Sequence, residues 1–360
     1  MKIAIAGGGT GGHLFPALAV GEVLLDRGHE VLIFISEKEV DALAIHGRTD
    51  FRFEKLPSIG MPRLFSLAML TFFQRFNASL APCRRIFAEF QPDAVLGMGG
   101  FTSTAPILAG KLRHIPTFVH ESNAIPGKAN RLNGRLVNRV LLGFEECKRY
   151  FPHGKCEVTG TPIRRSLAQR VERGKALAAF GLSPERKTLF IMGGSQGAHG
   201  INEALRAAVA TPRLKELQII HITGAGDETR MADAYRQAGI PAYVAAFCHE
   251  MENAYSAADL VVARSGAASL SEISHFGLPS ILIPYPHAAE NHQQLNAEIF
   301  AQAGAATLLK ESETTGDTLA AAVGALLADP DRLKKMASQS ARLAPHDAAV
   351  CVADTIERFK

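Results

Sequence analysis

Short apolar runs of β character alternate along this chain with stretches of helical period. "KIAIAG" (2–7) leads into "FPALAVGEVLLDRG" (15–28), and "HEVLIFIS" (29–36) follows. "DAVLGMG" (93–99), "PTFVH" (116–120), "RVLLGF" (139–144) and "CEVTG" (156–160) continue the series. Strands that alternate with helices in this way predict parallel sheets covered by helices on both faces. The rhythm pauses over 160–187, a passage with several Arg and Pro residues that reads as a linker and a bridging helix. It restarts at "KTLFIMGGSQGAHGINEAL" (187–205) and runs through "LQIIHITG" (217–224), "AYVAAF" (242–247), "ADLVVARSG" (258–266) and "PSILIPYP" (279–286). The restart predicts an α/β chain of two Rossmann-type domains in tandem, each of about 160–180 residues. "DAAVCVADTIERF" (347–359) reads as a closing helix that suits either half. In open sheets of this kind, ligands bind at the carboxyl ends of the strands.

Composition narrows the class. With 47% apolar and 21% charged residues among 360, the chain is that of a soluble globular protein large enough for two cores. A net charge of +4 is too small to point to nucleic acid, though it allows a local basic patch. Cys83, Cys147, Cys156, Cys248 and Cys351 are odd in number and lack C-x-x-C spacing. They argue for a reducing compartment and against a disulfide framework or a zinc site. "HEMEN" (249–253) opens like a zinc-protease helix, but Asn253 stands where the second His belongs, so no metal is predicted. The first apolar run breaks at Gly7, too early for a signal peptide, and no run approaches the ~18 residues of a membrane span. A cytoplasmic location is expected.

Glycine-rich turns carry the candidate chemistry. Gly7, Gly9 and Gly12 fit G-x-G-x-x-G after a strand, where backbone N–H groups can approach a pyrophosphate. Alone, this fits a dinucleotide enzyme with Glu37 as its ribose acid, or a tight turn that binds nothing. "MGGSQGAHG" (192–200) offers similar donors plus the Ser195 hydroxyl, and "GMGGFTSTAP" (97–106) also follows a strand. Such turns in both halves predict two phosphate-bearing ligands meeting in one cleft. In "ARSGAASLSEISHFGLPSILIPYP" (263–286) a strand is expected to end at Ala263 and a helix to begin near Ser269. Glu272, three residues further on, has the spacing of a capping box. It equally suits a carboxylate accepting bonds from two ribose hydroxyls, with small residues at 266–269 admitting the sugar.

Taken in order, "GGGTGGHLFPALA", "HESNAIPGKANR", "GTPIRR", "GGSQGAHGIN", "SGAASLSEISHFGLPSILIPYP" and "ENHQQLNA" closely resemble one family. It is that of the bacterial UDP-N-acetylglucosamine transferases acting on undecaprenyl-diphosphate-linked muramyl-pentapeptide in peptidoglycan synthesis. The likeness runs from residue 3 to about residue 300. It implies a GT-B architecture, two Rossmann-like domains facing across a cleft. Residues 1–161 would form the acceptor and membrane side and 162–343 the donor domain, with a helix at 344–360 crossing back to the first. The implied reaction moves GlcNAc from UDP-GlcNAc to the C4 hydroxyl of MurNAc in the lipid-linked acceptor (lipid I). Inversion gives a β-1,4 linkage, and neither a cofactor nor an essential metal is implied.

By motif position, the resemblance puts Thr10, Gly11 and Gly12 near the donor sugar and phosphates, Asn123 and Gln293 near the donor sugar, and Arg164 and Ser195 at the UDP phosphates. Arg165 and Gln294 stand beside their counterparts and compete for those roles. Ala267, Ala268, Ser269, Leu270, Ser271 and Glu272 form the ribose and phosphate turn. Cys248 occupies a position where the family has an aliphatic residue beside the uracil, so reading there rests on backbone. Expected partners are UDP-GlcNAc, the lipid-linked acceptor, an anionic membrane surface and other cell-wall synthesis proteins, without nucleic acid. The expected location is peripheral, on the cytoplasmic face of the inner membrane.

An inverting transfer needs a base for the attacking hydroxyl and positive potential where UDP departs. Helix N-termini and Arg164 are expected to supply the potential. A neutral imidazole, with an ordinary pKa of about 6.5, suits the base. His13 follows the first glycine loop at the start of its helix, whose dipole is expected to hold it neutral. It is the expected base or a donor that positions the acceptor; Glu272, on the ribose hydroxyls, is the other residue expected in the catalytic set. His120 and Glu121 read as structural. "MPRLFSLAMLTFFQRF" (61–76) is apolar with basic ends, and Arg84, Arg85, Lys111, Arg113, Lys128, Arg131, Arg135 and Arg139 lie in the same half. Together they suit anionic lipid headgroups, or else a buried helix and ordinary solvated charge.

Overall fold

The computed structural model describes all residues except 58–67, 194–197, 345–346 and 360, and the side chains of all of these except 40, 43, 44, 68, 69 and 73. Two units form, Met1–Arg165 with Pro345–Lys360, and Ser166–Ala344. The first carries strands β1 (Lys2–Ala6), β2 (Glu30–Ser36), β3 (Arg52–Leu56), β4 (Ala94–Gly97), β5 (Thr117–Glu121), β6 (Arg139–Leu142) and β7 (Cys156–Val158). They pair in parallel in the order β3-β2-β1-β4-β5-β6-β7. Its helices are α1 (Gly11–Asp26), α2 (Glu39–Ala44), α3 (Ala68–Phe90), α4 (Thr104–Leu112) and α5 (Lys128–Leu136). Side chains alternate across a strand, so a strand apolar throughout serves two cores. Accordingly Ile3 and Ile5 pack with Ala17 and Leu24 of α1, while Ala4 and Ala6 pack with Phe87 and Phe90 of α3.

The second unit repeats the topology. Its strands are β8 (Thr188–Met192), β9 (Gln218–Ile222), β10 (Ala242–Ala245), β11 (Leu260–Ala263), β12 (Ser280–Leu282) and β13 (Ala306–Leu308), ordered β10-β9-β8-β11-β12-β13. Around them lie α6 (Arg173–Ala179), α7 (His199–Ala208), α8 (Pro212–Lys215), α9 (Glu228–Ala238) and α10 (Met251–Ala257). The series continues with α11 (Ala267–His275), α12 (His292–Gln302), α13 (Gly316–Leu327) and α14 (Pro330–Leu343). The expected bridging helix, α6, belongs to this unit alone. Arg173 on it donates to Ala257 O (2.7 Å) and pairs with Asp259 (2.8 Å).

In both sheets the strand order reverses beside the first strand, between β1 and β4 and between β8 and β11. Chains diverge there and open a crevice at the strands' carboxyl ends. The last helix, α15 (Ala348–Glu357), packs Val352, Ala353 and Ile356 into the core shared with α1. Ion pairs flank that contact: Arg27 meets Asp354 and Glu357 (2.8 and 2.7 Å), and Arg358 meets Glu157 (2.6 Å).

Candidate active site

In the first unit the site is built where β1 and β4 diverge. Thr10 caps α1 in extended conformation, but its hydroxyl lies 3.2 Å from His13 Nδ1 rather than on the helix N–H groups. The half-buried imidazole lies over the turn after β4. A Cβ on Gly99 would fall 2.9 Å from His13 Cδ2 and Nε2, and both Gly99 (φ +105°) and Gly100 (φ +71°) are left-handed. Glycine is therefore required there by the ring and by the backbone together. The third glycine turn, one of those the sequence offers for a phosphate, seats His13. Burial drives the imidazole's pKa down to about 4, opposed by Asp41 and aided by Lys38. Desolvation is the largest cause that holds it neutral.

Asp41, at the start of α2, anchors the first glycine loop. Its Oδ2 accepts from Gly9 N (2.7 Å), Ser36 N (2.8 Å) and Ser36 Oγ (2.6 Å), while Lys38 Nζ donates to Gly9 O (3.1 Å). Gly8 fits beneath them because a Cβ would fall 2.3 Å from Ser36 N. Asp41→Ala leaves buried N–H groups without an acceptor, at about 1–3 kcal/mol for each group. A loss of ~3 kcal/mol in denaturant unfolding is expected; a wild-type midpoint would mean the carboxylate is not the anchor. Glu37, the ribose acid of the dinucleotide reading, is exposed beyond β2.

After β5, buried Glu121 organises the "HESNAIPGKAN" segment. It accepts from Asn123 N and Nδ2 (2.9 and 3.1 Å), Gly127 N (3.1 Å) and Asn130 Nδ2 (2.9 Å). Burial raises its carboxyl pKa against the pull of these donors. His120 is structural: Nε2 donates to Gly160 O (2.8 Å), and burial lowers its pKa to about 4. Arg164 lies over the Phe15 ring (4.9 Å), near the His13 end of α1. Arg165 pairs with Asp26 (2.8 Å), the last residue of that helix and about 16 Å further along it. Of the two arginines, Arg164 is the one beside the glycine loop. Gly11 and Gly12 begin α1 at its surface.

In the second unit α11 begins at Ala267 with Gly266 as its N-cap, and no side chain caps it. The first helical bond is Leu270 N to Gly266 O (3.0 Å), so the N–H groups of Ala267, Ala268 and Ser269 precede it at the strand's carboxyl end. The capping-box reading fails: Ser269 is the third helical residue, and Glu272 Oε2 takes the Tyr255 hydroxyl (2.6 Å). Leu270 is fully buried with its N–H spent in the helix, so it holds the turn rather than facing a ligand. Ser271 is partly exposed, and Cys248 is buried just after β10. Ser195 lies outside the described residues.

Gln293 is aimed by two successive left-handed residues, Glu290 and Asn291 (φ 54° each), an uncommon conformation without glycine. Tyr285 N donates to Gln293 Oε1 (3.0 Å), so the end Gln293 offers a ligand is its NH2. Gln294 is polarised the other way, its Nε2 donating to Glu298 (2.9 Å).

Residues 3–142 match the glycosyltransferase family 28 N-terminal domain, and residues 188–352 its C-terminal domain. The chain belongs to glycosyltransferase family 28. It is 41% identical to the "UDP-N-acetylglucosamine--N-acetylmuramyl-(pentapeptide) pyrophosphoryl-undecaprenol N-acetylglucosamine transferase" of Geobacter sulfurreducens, over 98% of this chain and 97% of that one. The same-named protein of Halothermothrix orenii is 38% identical over 95% of each chain. Among solved structures, MurG of Acinetobacter baumannii superposes with a TM-score of 0.78 at 26% identity over 99% of both chains. A UDP-GlcNAc 2-epimerase of Neisseria meningitidis shares the fold alone, at TM-score 0.72 and 15% identity over 99% and 100%. This glycosyltransferase thus has the two Rossmann-like parallel-sheet domains of the GT-B class. Asp41 and Tyr255, which brace its loops, carry no sequence motif that would have marked them.

Proposed function

We propose that this chain transfers GlcNAc from UDP-GlcNAc to the C4 hydroxyl of MurNAc in undecaprenyl-diphosphate-MurNAc-pentapeptide, with inversion to a β-1,4 linkage. The acceptor oxygen bonds to C1 of GlcNAc as the C1–oxygen bond to the β-phosphate breaks. The hydroxyl proton passes to His13, and UDP leaves with the bonding electron pair. The observation that carries this reading is the neutral, half-buried His13 imidazole at the switch point of a family 28 fold. Thr10 orients the ring; Gly11, Gly12, Asn123 and Gln293 contact the donor sugar. The UDP phosphates are assigned to Arg164, to Ser195 by its motif, and to the N–H groups of Ala267–Ser269 at a helix N-terminus. Glu272, fixed by Tyr255, accepts the ribose hydroxyls beside Ser271, and backbone near Cys248 reads the uracil. Radiolabelled GlcNAc should pass from UDP-GlcNAc to a short-chain lipid I analogue. No labelled product, or epimerised sugar from UDP-GlcNAc alone, would overturn the assignment.

The lipid-linked acceptor calls for work at the cytoplasmic face of the inner membrane, where other cell-wall enzymes would be partners. No helix among the described residues is long and apolar enough to cross a membrane. Leu70, Leu112 and Leu132 are 67%, 57% and 42% exposed, and Leu112 and Leu132 sit next to exposed Lys111, Arg113 and Arg131. Arg113 donates to Arg84 O (3.2 Å), joining α3 to this basic face. Of the apolar segment 61–76, residues 61–67 lie outside the described residues and 68–76 begin α3. The protein should co-sediment with anionic vesicles at low salt and detach at ~0.5 M, where screening shortens the reach of surface charge. Absence of salt-sensitive binding would remove the membrane claim.

A further inference from the structure

Arg264 follows β11 directly and is 6% exposed. Its Nη1 donates to Ile283 O (3.1 Å) and Pro284 O (3.2 Å) and meets the Glu311 carboxylate. The guanidinium carbon lies 5.5 Å from the centre of the Tyr285 ring. Those acceptors are where the chain leaves β12 on its way to α12. Two further bonds tie the segment to the Arg264 turn: Ser265 Oγ donates to Gln293 O (2.7 Å), and Asn296 Nδ2 to Ser265 O (3.1 Å). Glu311 follows β13 and also lies against α7, where a Cβ on Gly200 would fall 2.3 Å from its Oε1. One ion pair therefore joins the segments that follow three neighbouring strands, β11, β12 and β13, and reaches the first turn of α7. Beside it opens a cavity of about 400 Å³ lined by Tyr285, Asn291, Gln294, Lys310 and Glu311.

Burying an ion pair contributes little net stability, because desolvation offsets the attraction. What Arg adds over other cations is a planar guanidinium: one nitrogen, Nη1, gathers three acceptors while the flat group lies over the Tyr285 ring. Here two of those acceptors, Ile283 O and Pro284 O, belong to the segment whose Tyr285 N–H sets which end of Gln293 faces a ligand. The uridine end of the site, at Glu272, is held separately by Tyr255.

We propose that the Arg264–Glu311 pair is a positioning device for the donor-sugar end of the site, fixing Gln293 and Tyr285 against the sugar. The inference rests on the reading of this unit as the UDP-GlcNAc site. Calorimetry on the full chain should show Arg264→Met and Glu311→Gln weakening UDP-GlcNAc binding ~10–100-fold, the scale of a lost charge-assisted contact. Binding of UDP alone should change by no more than about threefold, because Glu272 and α11 are untouched. Arg264→Lys, which keeps the charge but loses the planar group over Tyr285, should fall between wild type and Arg264→Met. Thermal melts report folding, and Glu311→Gln, nearly isosteric, serves if the Arg264 variants fail to fold. Equal losses for UDP and UDP-GlcNAc would reveal a general structural role and overturn the proposal. Wild-type affinity in the folded variants would do the same. A wild-type chain that binds neither ligand overturns the donor-site reading itself, and this inference with it.

Discussion

Replacing His13 with alanine should lower kcat for GlcNAc transfer by ~10³-fold while leaving the Kd for UDP-GlcNAc within about twofold. Positioned general bases contribute roughly 10²–10⁴-fold, and the middle of that range suits a half-buried base. The substitution spares the loop, because His13 N still donates to Thr10 O and Asp41 still holds Gly9. With an imidazole pKa near 4, kcat/KM should be flat above about pH 5 and fall tenfold per unit below the pKa. The fold must be monitored over the same range. His13, His120 and His221 are held neutral by burial, with pKa values pushed down to about 4, 4 and 3. Each titrates near 6.5 when unfolded, so the stability they contribute is present above pH 6.5 and lost as pH falls toward 4. Circular dichroism beside the rate profile separates loss of the base from loss of the fold. Near-wild-type turnover by His13→Ala would remove the residue from the mechanism.

The sequence displayed most of the strands, though not their order in the sheets, because buried parallel strands are apolar throughout and stand out from their surroundings. It hid β3 ("RFEKL") and β13 ("ATL"), which lie at sheet edges, where one neighbour supplies the pairing and polar residues are tolerated. His13 was visible as a histidine after a glycine loop; its seat was not, since Gly99 and Gly100 come from a distant segment that reads as another phosphate loop. Ser269 and Glu272 have the spacing of a capping box, yet the helix begins two residues earlier. Spacing alone cannot register where a helix starts when the cap is glycine. Asp41, Tyr255 and Arg264 act through contacts far apart along the chain, with Gly9, Glu272 and Glu311 respectively. Only the fold brings such partners together.

Removing the Glu272 carboxylate should have the second large effect, this time on binding. Glu272→Ala is expected to raise the Kd for UDP and for UDP-GlcNAc alike, by ~10²-fold. That corresponds to losing one or two hydrogen bonds to a charged group at about 1.5–3 kcal/mol each. Because the ribose is bound equally in ground and transition states, kcat at saturating donor should change little and KM should carry the loss. Tyr255→Phe should produce a smaller rise, ~3–10-fold, since it removes only the hydroxyl that fixes the carboxylate (2.6 Å) and leaves the carboxylate in place. A capping role predicts the reverse pattern: lower stability of the second unit with UDP affinity intact. Glu272 is the sixth residue of a helix capped by Gly266, too far along to reach the N-cap N–H. Isothermal titration of UDP together with thermal unfolding of Glu272→Ala therefore decides between the roles. Unchanged UDP affinity with a lowered melting temperature would return Glu272 to the structural residues.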